Sequence, residues 1–132
     1  MSDHSLPPAV AGFLEAVNGR DADGLEKHLT HDMAYHLIVP HPPVTGRTAV
    51  VATMARVLGE ADRVQWDVVS SAVREDLVFL ERVDRFWYAE REAAIECLGV
   101  FTLRDGRIAE IRDYADMGTW KSRKAAATAQ PQ

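Results

Sequence analysis

Two carboxylates and one arginine interrupt segments of the chain that otherwise alternate like β-strands. Side chains two apart on a strand share a face, so Arg82 and Asp84 lie together on the apolar face of residues 77–89. Asp113 lies on the apolar face of a second such segment, residues 106–115. A guanidinium can hold two carboxylates at once through its planar fork. The pattern predicts an Asp–Arg–Asp cluster on the inner face of a sheet.

Such a cluster could carry out acid–base chemistry. Two neighbouring carboxylates in apolar surroundings do not both ionise readily, so one of them tends to hold a proton. The site then offers an acid and a base at the same pH, and these can protonate a leaving oxygen while deprotonating a water. The alternative is a purely structural ion network. Asp113 lies beside Arg112, and the even-numbered face of that segment could equally be the buried one.

The period of the apolar residues predicts the elements that would position this cluster. Helical spacing in the first half of the chain predicts an amphipathic helix starting at Pro7-Pro8 and ending near Gly19, and two further helices at 21–29 and 46–58. Two-residue alternation predicts strands, and Asp105-Gly106 is typical of a tight hairpin turn between the last two. The predicted strands cover residues 32–39, 63–74, 77–89, 93–104 and 106–115.

This order of elements predicts an α+β fold in which a curved, largely antiparallel sheet packs against three N-terminal helices around a cone-shaped cavity. We expect a single domain over residues 1–120 and a flexible tail over 121–132. Tyr35 points inward on the first strand. The apolar residues predicted to line the cavity are Leu37, Met54, Val57, Trp66, Phe86, Ile95 and Cys97; for each of them, plain core packing is the alternative.

Composition narrows the class of protein. The chain has 132 residues, 47% of them hydrophobic, and a net charge of −5, so it gives no electrostatic reason to expect nucleic acid or an anionic membrane as partner. No apolar run approaches the roughly 20 residues that span a bilayer. Cys97 is the only cysteine, so no internal disulfide framework is expected and a cytoplasmic location is predicted.

Three histidines offer the one hint of a metal site. His31, His36 and His41 recur every five residues, a spacing that matches neither one face of a helix nor one face of a strand. We therefore predict no metal.

At the cluster residues, the sequence resembles the limonene-1,2-epoxide hydrolase family, part of the SnoaL-like, nuclear-transport-factor-2-like (NTF2-like) superfamily. The resemblance extends over most of the chain. It rests on "LERVDRF" (80–86) and "LGVFTLRDGRIAEIRDYADMG" (98–118), and more loosely on "DMAYHL" followed by "PPVTGRTAV". It implies a cone-shaped NTF2-like fold, catalysis without metal or cofactor, and a homodimer.

The resemblance also implies roles for the cluster. Asp113 would be the general base that takes a proton from water, and Asp84 the acid that protonates the oxygen of a small or medium apolar epoxide. Arg82 would bridge the two carboxylates and Tyr35 would hold the water, giving a vicinal diol in one step. The family's third water ligand is an asparagine, and here that position is Leu37.

Because leucine cannot hydrogen-bond, this departure keeps other functions open. One is a proton-transfer enzyme like ketosteroid isomerases or polyketide cyclases, in which Asp84 or Asp113 moves a proton at carbon. Another is a non-catalytic domain that binds a hydrophobic ligand or serves dimerisation.

Overall fold

A computed structural model describes residues 6–129 of the chain. It contains α-helices α1 (Pro8–Asn18), α2 (Arg47–Glu60) and α3 (Met117–Thr128), and a short 3₁₀ helix, Asp23–His28. The strands are β1 (Leu29–His36), β2 (Val44–Thr45), β3 (Arg63–Arg74), β4 (Leu77–Tyr88), β5 (Arg91–Arg104) and β6 (Arg107–Tyr114). The helices of the first half and the four long strands of the second half lie close to their predicted positions.

The six strands form one curved sheet in the order β2-β1-β6-β5-β4-β3. All neighbouring pairs are antiparallel except β1 and β6, which run parallel and join the first half of the chain to its end. The helices pack against the concave face, which confirms the predicted α+β class and its NTF2-like form. No helix within residues 6–129 is long and apolar enough to cross a membrane.

Helix α1 forms where the apolar spacing predicted it. Pro8 opens the helix, where its missing N–H removes no hydrogen bond, and the chain turns at Gly19. Val10, Phe13 and Val17 are completely buried. Phe13 packs edge-on against Phe101 of β5, with ring centroids 5.6 Å apart, and so fixes the helix over the middle of the sheet.

Strand β4 follows the two-residue alternation along its whole length, with the even-numbered residues buried. Strand β6 departs from it. Strict alternation would place Ile108 on the face opposite Ala109 and Ile111, but Ile108 and Ile111 are both completely buried. Leu103 of β5 pairs with Ile108 and Thr102 pairs with Glu110, so a bulge at Ala109 shifts the alternation by one residue.

The first strand starts and ends three residues earlier than predicted. Residues 32–39 were expected to form it, but it ends at His36, and Leu37 already belongs to the loop. The Val39 N–H nevertheless donates to the carbonyl of Asp113 at 2.9 Å. This loop therefore stays attached to the end of β6.

The predicted flexible tail over 121–132 is wrong for most of its length, because residues 121–128 belong to helix α3. Asp116 caps the helix by accepting from the Thr119 N–H at 2.8 Å, and the alanines that follow favour the helical state. Trp120 packs on Phe86 with ring centroids 5.2 Å apart, and Ala127 is buried. Residues 130–132, like residues 1–5 of the predicted domain, lie outside the described part of the chain.

Candidate active site

The structure brings Asp84, Arg82 and Asp113 into one hydrogen-bonded cluster on the concave face of the sheet. Arg82 donates from Nε to Asp84 Oδ1 at 2.8 Å and from Nη2 to Asp84 Oδ2 at 2.9 Å. The same Nη2 donates to Asp113 Oδ2 at 3.2 Å. Arg82 is 1% exposed, Asp84 5% and Asp113 3%, so all three charged groups are shielded from bulk solvent.

Strand register explains why these residues meet. Asp84 and Arg82 are neighbours on the inner face of β4, while Asp113 of β6 pairs with Gly99 of the intervening β5. Because Gly99 has no side chain, the Arg82 guanidinium can cross over β5 and reach Asp113. Cys97, the direct partner of Arg82 on β5, accepts a further hydrogen bond from Nη2 at its Sγ, at 3.3 Å.

Burial and pairing set the protonation preferences of the cluster. Burial raises the pKa of Asp84 above its ordinary value, and this outweighs the lowering effect of Arg82. Burial alone would lower the pKa of Arg82, but the charges of Asp113 and Asp84 outweigh it and hold that pKa well above the ordinary value. The cluster therefore combines a permanent cation with a carboxyl that retains its proton to higher pH.

Tyr35 of β1 completes the cluster. Its hydroxyl donates to Asp113 Oδ2 at 2.7 Å, and the side chain is 1% exposed. Burial, reinforced by the charge of Asp113, raises the pKa of Tyr35 well above its ordinary value. Tyr35 is thus a stable hydrogen-bond donor to Asp113, and its oxygen keeps lone pairs for a further donor.

The cluster forms part of the wall of a cavity of about 390 Å³ between the sheet, α2 and α3. Tyr35, Asp84 and Asp113 line this cavity with their polar groups, whereas Arg82 does not line it. All seven residues predicted to bind substrate also line this cavity: Leu37, Met54, Val57, Trp66, Phe86, Ile95 and Cys97. A cavity of this size and apolar lining suits a compact hydrophobic molecule.

Trp66 belongs to the cluster as well as to the lining. It pairs with Asp84 across β3 and β4, and its indole ring faces the Arg82 guanidinium at 4.5 Å from the ring centroid. This cation–π contact further stabilises the buried guanidinium.

The sequence pattern does not predict the cavity wall that α3 supplies, because it indicates a flexible tail over residues 121–132. Met117, Trp120 and Lys124 of α3 line the cavity. Lys124 Nζ also lies 3.3 Å from Glu60 Oε1 of α2, another lining residue. The signals that could have revealed this helix are the Asp116–Thr119 capping pair and the run of alanines at 125–127.

The remaining candidate groups have ordinary surroundings. Burial raises the pKa of the Cys97 thiol well above its ordinary value, which does not suit a nucleophile. His36 lies 3.0 Å from Glu110 on the partly exposed side of the sheet. Within residues 6–129, no group of three or more His, Cys, Asp or Glu side chains is placed to hold a metal ion.

Comparison with known families gives one match that covers most of the chain. The sequence profile of the SnoaL-like domain matches residues 10–111, which run from α1 to the middle of β6. Tyr35, Trp66, Arg82 and Asp84 fall within this range, and Asp113 follows two residues after its end.

Several solved structures have the same fold. An LEH-like epoxide hydrolase from M. tuberculosis is 24% identical over 92% of this chain and 90% of that one, with a TM-score of 0.79. A protein with a ketosteroid isomerase-like fold from Catenulispora acidiphila, in complex with trimethylamine, is 19% identical over 95% of each chain, with a TM-score of 0.78. SalBIII, an epoxide hydrolase/cyclase-like enzyme with a role in pyran ring formation in the polyether salinomycin, is 19% identical over 84% of this chain and 90% of that one, with a TM-score of 0.75.

Proposed function

The chain belongs to the SnoaL-like domain family, and from that premise we propose that it is a cofactor-independent epoxide hydrolase. It adds water to a small or medium apolar epoxide in one step and releases a vicinal diol. The fold is shared by epoxide hydrolases and by proteins with other chemistries, so the proposal depends on the site.

One observation carries the proposal. Two carboxylates share a single buried guanidinium in the wall of an apolar cavity, and both carboxylates reach that cavity. An epoxide is strained, so its opening needs only a base to activate the nucleophile and an acid to protonate the ring oxygen. This pair of groups supplies both.

The reaction assigns one role to each carboxylate. The Asp113 carboxylate takes a proton from water as the water oxygen bonds to an epoxide carbon. The C–O bond of the ring breaks, and the Asp84 carboxyl gives its proton to the departing oxygen. The products are a diol, protonated Asp113 and ionised Asp84. Exchange with solvent then returns a proton to Asp84 and removes one from Asp113.

Asp84 suits the acid role because burial raises its pKa. Tyr35 and Arg82 both donate to Asp113 Oδ2, and these two hydrogen bonds orient the Asp113 carboxylate for the base role. With its own hydrogen directed at Asp113, the Tyr35 oxygen can accept the second hydrogen of the attacking water.

The test is turnover of cyclic and terminal epoxides in ¹⁸O-labelled water. We expect a diol carrying one labelled oxygen, and a loss of at least 100-fold in kcat for Asp84→Asn and for Asp113→Asn. Asp67→Asn is the matched control, because Asp67 pairs with Arg85 away from the cavity. Absence of turnover by the folded wild-type protein on every epoxide would refute the proposal.

Leu37 favours a second candidate, a proton-transfer enzyme like ketosteroid isomerases or polyketide cyclases. Leu37 lines the cavity but offers no hydrogen bond to a water, and proton transfer at carbon needs no bound water. Incubation of carbonyl compounds in ²H₂O would reveal this activity as deuterium incorporation beside the carbonyl group, lost in Asp84→Asn or Asp113→Asn. Saturable binding of apolar ligands with neither activity would indicate a binding domain.

We also propose that the protein is a cytoplasmic homodimer. Leu98 and Tyr114 are 42% and 44% exposed, and they are paired neighbours on β5 and β6. A second copy of the chain could cover this apolar face. Light scattering should give twice the mass of one chain for the wild type and the mass of a single chain for Leu98→Glu. The free, buried Cys97 is compatible with a reducing compartment.

A further inference from the structure

Two oppositely charged atoms of the cluster have no hydrogen-bond partner within residues 6–129. They are Arg82 Nη1 and Asp113 Oδ1, and both are buried. An unpaired buried donor or acceptor of a charged group is strongly unfavourable, so each such atom calls for an explanation.

Both atoms face the same point of the sheet, the Cα of Gly99. A Cβ at this position would overlap Arg82 Nη1 and lie 2.8 Å from Asp113 Oδ1. The unused donor and the unused acceptor therefore lie side by side against the β5 backbone. A small rotation of the guanidinium could join them.

The proposed reaction moves negative charge between the two carboxylates. Before the reaction Asp113 is ionised and Asp84 is protonated; afterwards the reverse holds. In the structure Arg82 is bidentate on Asp84 and has a single bond to Asp113, which matches the second state. When Asp84 carries a proton, one of its oxygens becomes a hydroxyl and accepts a hydrogen bond less well, so Arg82 loses part of its hold on that side.

We propose that the hydrogen bonds of Arg82 change with the protonation state of Asp84. When Asp84 is protonated, the guanidinium turns and adds an Nη1–Oδ1 hydrogen bond to its existing Nη2–Oδ2 bond with Asp113. The inference rests on the proposed function. Arg82 thereby stabilises the ionised base before the reaction and the newly ionised acid after it. Gly99 is a positioning residue, since only a residue without a side chain leaves both atoms room to meet.

The crystal structure of Asp84→Asn tests the rotation without any activity measurement. The amide is the isostere of the protonated carboxyl, and its nitrogen cannot accept from Arg82. We expect Arg82 Nη1 and Asp113 Oδ1 to lie about 3 Å apart in this variant, as in an ordinary ion pair. A guanidinium that stays in its wild-type position beside the introduced amide, with Nη1 still unpaired, would overturn the proposal.

Gly99→Ala tests the positioning role, with Gly59→Ala as its matched control. A Cβ at Gly59 of α2 would meet no atom within 4 Å. We expect Gly99→Ala to lower kcat for the epoxide at least 30-fold while KM changes less than 3-fold, because the apolar lining stays intact. Gly59→Ala should leave both constants unchanged. A kcat within 3-fold of wild type in folded Gly99→Ala would contradict the role.

The same substitution in an Arg82→Lys background separates the displacement of the guanidinium from general damage to the sheet. Lysine keeps the charge but has no Nη1, so the added methyl group would no longer overlap a guanidinium nitrogen and would be crowded only by Asp113 Oδ1 and the Phe101 ring. In the wild-type background, Gly99→Ala should clearly lower the urea concentration at the unfolding midpoint. In the Arg82→Lys background, the same substitution should lower it by less than half as much. Equal falls in both backgrounds would show a purely structural effect. Because this cycle and the crystal structure need no substrate, they remain decisive even if no epoxide is turned over.

Discussion

The Tyr35 hydroxyl donates to Asp113 Oδ2 at 2.7 Å across 78 residues of sequence. The contact exists because β1 and β6 run parallel, with Tyr35 beside Ile111. In the proposed reaction, Tyr35 would therefore act directly on Asp113, and it would bind the water only through its oxygen. This arrangement refines the role that the family resemblance implied.

Tyr35→Phe should lower kcat about 10- to 100-fold with little change in KM. The variant removes a hydrogen bond to a charged group, a class of interaction with a net contribution of about 1.5–3 kcal/mol, and it removes one acceptor for the water. Steady-state kinetics on the best epoxide measure the effect. Tyr114→Phe is the control, because Tyr114 is 44% exposed and does not line the cavity. Equal effects of the two substitutions would contradict the assigned role.

The pH dependence of kcat should show a fall on the alkaline side that reports Asp84. Burial raises the pKa of this acid, so activity should persist above the ordinary value of 3.8 and fall as the pH rises through the raised value. Ile95 pairs with Asp84 across β4 and β5, so Ile95→Ser should hydrate the carboxyl and move this fall to lower pH. A shift to higher pH in this variant would contradict the assignment of Asp84 as the acid.

Protein stability should depend on pH through the same carboxyl. Because the folded-state pKa of Asp84 is raised, the folded state binds its proton more tightly than the unfolded state does. The resulting stabilisation is complete below pH 3.8 and is lost as the pH rises through the raised pKa. The free energy of unfolding of wild type relative to Asp84→Asn should therefore decrease over this window, by at most about 1.4 kcal/mol per pH unit. Urea unfolding at constant ionic strength measures it, and a relative increase with pH would contradict the sign.

Leu37→Asn should raise kcat for epoxide hydrolysis about 2- to 10-fold. The amide would give the attacking water a third hydrogen bond, and one such bond contributes about 0.5–1.5 kcal/mol. Ile38→Asn places the same amide at the adjacent lining residue and serves as the control. A fall in kcat for Leu37→Asn would show that the water is not held on this side of the cavity.

Trp120→Ala should weaken both the fold and substrate binding. Trp120 closes the cavity from α3 and packs on Phe86, but it is only partly buried, so we expect a loss of about 1–3 kcal/mol in stability. KM should rise at least 5-fold, while kcat changes less. Trp87→Ala is the matched control, since Trp87 stacks on Arg63 at 3.8 Å and does not line the cavity. A KM unchanged in Trp120→Ala would show that α3 does not contact the substrate.

The residue pattern was enough to predict the cluster because strand alternation is a local property. Arg82 and Asp84 share a face whatever the rest of the chain does, and Asp113 lies inward as predicted. Alternation alone places Ile108 on the wrong face, because the bulge at Ala109 depends on how β6 pairs with β5. No single segment of the sequence encodes that pairing. Helix α3 was misjudged for a similar reason, since its weakly amphipathic sequence gains its stability from contacts of Trp120 and Ala127 with the rest of the protein. The space at Gly99 depends on three strands at once and could not be predicted.

The parallel pairing of β1 with β6 has a consequence for how the protein is made. Synthesis produces Tyr35 on β1 long before Asp113 on β6, so a growing chain carries β4, with Arg82 and Asp84, before it carries the second carboxylate. Long-range contacts of this kind form late, since they must close a long loop of chain first. Under the proposed function, chain segments that end before β6 lack the base Asp113 and should therefore have no epoxide hydrolase activity.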